Sequence, residues 1–80
     1  MIKNVDLLHE NGDQMQISEN EKIPYVHVLI RLNEFNTSIF NASLIEFTAR
    51  LLSFDQVLKK AQQYGFKIIR MYMNSKENEG

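Results

Sequence analysis

The chain has 80 residues, a formal net charge of -1, and 44% hydrophobic and 24% charged residues, which is the composition of one globular domain. A domain this short buries only about 60% of the surface its unfolded chain exposes, so its core is thin. It contains no cysteine, which excludes disulfides and thiolate metal sites and leaves packing, or a second subunit, to supply stability.

The N-terminal stretch MIKNVDLLHENGDQ has no uninterrupted apolar segment, so no secretory signal is expected, and a cytoplasmic location follows. No apolar run approaches the roughly 20 residues of a membrane-spanning helix, so no membrane partner is expected. Two sequons, Asn36-Thr37-Ser38 and Asn41-Ala42-Ser43, are then chance matches in an Asn-containing stretch. Charge is unevenly spread. Before Ala42 there are six acids and three bases; from Ala42 to Lys76 there are six bases and two acids.

Val5–Glu10 and Gln14–Ile17 flank Asn11-Gly12, a turn dipeptide that predicts a β-hairpin. Ser18–Lys22 reads as a polar connector. Pro24 has no N–H for a sheet ladder and so precedes a strand. Tyr25–Asn33 alternates cleanly, with Val26, Val28, Ile30 and Leu32 on one face and Tyr25, His27, Leu29 and Arg31 on the other. Apolar residues on both faces at its centre predict an inner strand. Glu34–Phe40 reads as a loop.

Asn41–Leu52 fits two patterns. As a strand, it puts Ile45, Phe47, Ala49 and Leu51 on one face and Leu44, Glu46, Thr48 and Arg50 on the other. As a helix, Ser43 and Glu46 make a capping box and Leu44, Phe47, Leu51, Phe54 and Leu58 continue into one long helix over 44–64. The strand is preferred, because Ser53 and Gln56 form a better capping box that an ongoing helix would waste.

From that cap a helix runs over Phe54 to about Tyr64, with Phe54, Val57, Leu58 and Ala61 as its apolar stripe and Asp55, Lys59, Lys60, Gln62 and Gln63 facing water. Gly65 suits the left-handed position past the helix end. Phe66–Met73 reads as a last strand. Its faces are ambiguous, since Ile69, Met71 and Met73 compete with Phe66 and Ile68. Residues 74–80 read as a disordered polar tail after a single domain over 1–73.

The fold class is therefore α+β: a small, mainly antiparallel sheet in the order β-β-β-β-α-β, with one helix packed on one face. One helix covers one face of a sheet. The other face would show Tyr25, His27, Arg31, Glu46, Thr48, Arg50, Arg70 and Tyr72.

Signatures of catalysis are missing. Glycine occurs only at positions 12, 65 and 80, so there is no phosphate-cradling loop. His9 and His27 lie far apart in sequence with no cysteine companions, and are read as a solvated residue and a sheet-face residue, not as metal ligands. Glu19 and Glu21 sit in a solvated connector, away from apolar neighbours that would raise a carboxyl pKa. No catalytic residue, cofactor or metal is expected.

The expected activity is contact. Tyr25, His27, Arg31, Arg50, Arg70 and Tyr72 form the candidate interaction face, of the residue types enriched at interface cores. Its partner is another protein or a second copy, paired back-to-back through this face or along a sheet edge. The alternative is single-stranded nucleic acid, with rings stacking on bases and guanidinium groups on phosphates. The acidic Glu46 and the net charge of -1 favour the protein.

Overall fold

The computed structural model of the chain describes residues 2–22, 25–33 and 44–74. Strands β1 (Ile2–His9), β2 (Gln14–Asn20), β3 (Val26–Arg31) and β4 (Leu44–Ala49) precede helix α1 (Phe54–Gln63) and strand β5 (Phe66–Asn74). The strands form one five-stranded sheet in the order β4-β3-β2-β1-β5, antiparallel at every pairing. The expected α+β architecture and its element order are present. Residues 44–49 are a strand and not the start of a long helix.

The β1–β2 hairpin closes through Glu10–Asp13, with Gly12 at φ 94°. The Asp13 N–H donates to Asn11 Oδ1 at 2.9 Å, and the His9 N–H donates to the Asp13 carbonyl at 2.9 Å. Asp13 Oδ1 in turn accepts the Asn33 N–H at 2.8 Å, which ties the hairpin loop to the end of β3. β2 runs on to Asn20, so most of the stretch read as a connector is paired strand.

At Ser53 the capping box forms as the residue types require. The Gln56 N–H donates to Ser53 Oγ, and the Ser53 N–H donates to Gln56 Oε1 at 2.8 Å. This stops the chain from continuing one helix through 44–64. Leu51, read as inward-facing on β4, instead follows the strand end and is 96% exposed.

β4 and β5 are the two edges of the sheet, so α1 must cross the width of one face to join them. Its Phe54, Val57 and Ala61 point down onto Val5, Leu7, Ile17, Val26 and Val28, all buried. These come from β1, β2 and β3, the strands under the crossing. Burying side chains of this size contributes about 1.5–3 kcal/mol each. No β5 residue is fully buried among the described residues, and Phe66 alone of β5 packs against this cluster.

The ambiguity of the last strand has a structural cause. A register shift opposite Asp6 and Leu7 inserts an extra residue into β5. Ile68 pairs with Leu7 and Phe66 with His9, while Met71 pairs with Val5 and Met73 with Lys3. Directly opposed residues share a face. Phe66, Ile68, Met71 and Met73 therefore all lie on the helix side, which strict alternation cannot achieve. Met71 and Met73 do not belong to the open face on which the sequence had allowed them.

His9 is not the freely solvated residue expected. Its Nε2 donates to the Tyr64 carbonyl at 3.0 Å, its Nδ1 accepts the Asn11 N–H at 3.1 Å, and its ring meets Phe66 edge-on at 5.1 Å. It fastens the hairpin turn to the end of α1. Gly65, at φ 96°, passes so close that a Cβ there would sit 2.8 Å from His9 Nε2.

The loop over Glu34–Phe40, the start of the segment read from Asn41, Pro24 and the tail over 75–80 lie outside the described residues.

Candidate interaction face

On the face away from α1, the pairing registers line side chains up in rows across all five strands. One row is Arg70–Asp6–Gln16–Leu29–Glu46; the next is Tyr72–Asn4–Ser18–His27–Thr48. A third runs Lys67–Leu8–Gln14–Arg31–Leu44. Of the six residues expected on this face, His27, Arg31, Arg70 and Tyr72 stand in these rows. Tyr25 precedes β3 and borders the same face, and Arg50 follows β4 with its guanidinium carbon 5.1 Å from the Tyr25 ring centre.

They do not form one cluster. Tyr25, Arg50 and His27 gather near the β3–β4 side, Arg70 and Tyr72 lie on the β5 edge, and Arg31 stands at the end of β3. The middle is supplied by β1 and β2, whose residues the sequence reading left out. Gln16 Nε2 donates both to Asp6 Oδ1 at 3.1 Å and to the Tyr72 hydroxyl at 3.2 Å. The Ser18 hydroxyl donates to Asn4 Oδ1 at 3.0 Å, and Asn4 is only 6% exposed. The signal was present as the polar alternation Asn4, Asp6 and Gln14, Gln16, Ser18 against Val5, Leu7, Met15 and Ile17.

Two carboxylates stand near basic side chains within this face. Arg70 Nε stands 3.9 Å from Asp6 Oδ2, and its guanidinium carbon lies 4.2 Å from the Tyr72 ring centre. His27 Nε2 stands 3.6 Å from Glu46 Oε1. Such exposed pairs add little stability. Two shallow depressions lie between the rows. One of about 360 Å³ is bordered by Ile2, Asn4, Asn20, Tyr25, His27 and Thr48. The other, of about 330 Å³, is bordered by Asp6, Gln14, Gln16, Leu29, Arg31 and Ile69.

Among the described residues, no three His, Asp or Glu side chains gather in a way that could hold a metal ion. No helix of the described residues is long and apolar enough to cross a membrane. Compared with protein families, with curated proteins and with solved structures, the chain matches none.

Proposed function

We propose that this chain is a small, non-catalytic cytoplasmic interaction protein, an adaptor, regulator or inhibitor, that docks a protein partner on the open face of its sheet. The observation that carries this reading is the one-sided cover of the sheet: α1 buries the centre of one face and leaves rows of Tyr, His, Arg and amide side chains on the other. Tyr25, His27, Arg31, Arg50, Arg70 and Tyr72 are the proposed contact residues. Aromatic and arginine side chains held in place by neighbours present contact area at a low cost in conformational freedom.

Single-stranded nucleic acid is the alternative for the same face. Two observations favour the protein. Arg50 and Arg70 already stack on Tyr25 and Tyr72, the rings a base would need. Asp6 and Glu46 stand in the same row as Arg70 and dilute the positive potential that phosphates require.

The test is capture from the protein's own cell with tagged wild type, Arg50→Glu, Tyr72→Ala and, on the outer side of α1, Lys59→Ala. The expected result is a saturable protein partner retained by Lys59→Ala and lost by the other two. Filter binding to single-stranded RNA and DNA runs alongside. Binding that falls steeply between about 50 and 200 mM salt would replace the protein reading with nucleic acid.

A further inference from the structure

β5 is the longest strand of the sheet, and it lies on the edge, where one side of its backbone pairs with no strand among the described residues. Natural proteins blunt such edges with short strands, inward charges or a covering element. β5 carries a bulge, Lys67 and Arg70, yet it is long and its Ile69, Met71 and Met73 are 62%, 54% and 64% exposed. Met71 and Met73 face the helix side, where α1 sits over β1–β3 and no described residue covers the floor beside it.

We infer that β5 pairs antiparallel with β5 of a second copy about a two-fold axis centred on Tyr72, giving one continuous sheet with both helices on the same side. Three features select this arrangement. First, a β4–β5 contact between copies joins unlike edges and propagates into a filament, whereas β5–β5 closes on itself. Second, the bulge at the Ile69 region ends the regular stretch, so Arg70–Asn74 is the segment able to form a straight ladder. Third, side chains and charge fix the register within it. Centring on Arg70 sets two guanidinium groups opposite each other, which opposes pairing. Centring on Met71 places Ile69, displaced by the bulge, against Met73. Centring on Tyr72 uses the whole stretch, sets Tyr72 opposite Tyr72 on the open side and Met71 opposite Met73 on the helix side.

The exposed methionines then acquire a role. Met71 and Met73 of both copies fill the floor between the two helices, and Ile68 borders them. A stable interface buries about 1,200–2,000 Å² in total, more than a five-residue ladder supplies alone, so these side chains are needed for the contact. The inference does not rest on the open-face reading. It leaves that face free, and doubles it.

The absence of cysteine allows a direct test by single-cysteine variants. Tyr72→Cys, placed on the axis, is expected to form a disulfide-linked dimer under mild oxidation, and Ile69→Cys is not. His27→Cys, on the β3 part of the open face, reports a back-to-back dimer instead. Sedimentation equilibrium of the unmodified chain should give twice the 9.4 kDa chain mass. Met71→Lys/Met73→Lys, on exposed positions that leave the core intact, should weaken the dimer about 100-fold or more with unchanged circular dichroism. A strict monomer at 100 µM (a concentration chosen as about a hundred times a micromolar dissociation constant) overturns the inference. So does cross-linking through His27→Cys or Ile69→Cys in preference to Tyr72→Cys. Failure of these tests leaves partner capture on the open face unaffected, and failure of capture leaves the dimer standing.

Discussion

The two faces of this sheet are built by neighbouring residues of the same strands, and they do opposite things. Met71–Val5–Ile17–Val28–Phe47 forms a row on the helix side; one residue along, Tyr72–Asn4–Ser18–His27–Thr48 forms a row on the other. In the first row Val5, Ile17 and Val28 are buried under α1 and hold the fold together. In the second row the Ser18 hydroxyl donates to Asn4, and only Asn4 is buried. Stability is concentrated at the centre of one face. The proposed contact residues lie on the other.

Three substitutions would break or sharpen that contrast. Ile17→Ala, at a fully buried position, is expected to cost about 2–5 kcal/mol, because it removes apolar contact and leaves a cavity. In a domain whose total stability is of the order of 5–15 kcal/mol, that is a large share. Urea unfolding followed by circular dichroism measures it, and a loss under about 1 kcal/mol would show that the core does not depend on this row.

Ser18→Ala, the next residue but on the open face, is expected to cost about 1–2 kcal/mol. The buried Asn4 amide loses the hydroxyl that donates to it, and an unsatisfied buried acceptor carries a penalty. The same unfolding measurement applies. A neutral result would mean that water replaces the hydroxyl and that the open face is wet to its centre. Arg70→Ala should change stability by no more than about 0.5 kcal/mol, since its contacts to Asp6 and Tyr72 are exposed. Its effect should appear in partner capture. An equal loss of stability from Arg70→Ala and Ile17→Ala would erase the distinction between the faces.

The edges add a second contrast. β4 and β5 bound the same sheet, but β5 is nine residues long and β4 six. The centre of the core is drawn from β1, β2, β3 and α1, so both edges keep apolar side chains in water: Leu44 and Phe47 on β4, and Ile69, Met71 and Met73 on β5. On β5, Met71 and Met73 lie in the regular stretch beyond the bulge, which is why the proposed dimer is placed there.

Much of the fold was legible in the residues. Ser53 and Gln56 fixed where α1 begins, and Gly65 where it ends, because capping is a short-range bonding problem with few solutions. Alternation in Tyr25–Asn33 marked an inner strand, and β3 lies between β2 and β4. The preference for a strand over a helix within Asn41–Leu52 followed from the same cap, and the strand found spans Leu44–Ala49. Less was legible at Leu51, where the pattern of two continued past the point at which pairing with β3 ends. His9 looked solvated because its partners, the Tyr64 carbonyl and the Phe66 ring, are more than fifty residues away.

By itself, then, the sequence determined the elements, their order and the side of α1 that seeks the core, since caps, turns and periodicity act over a few residues. Only the tertiary structure decided the strand order β4-β3-β2-β1-β5, the bulge that turns Met71 and Met73 to the helix side, and the polar rows that join β1 and β2 to Tyr72 and His27. Those depend on which strands meet and in what register. Register is set by contacts between residues far apart in the chain, and a shift of one residue exchanges the two faces.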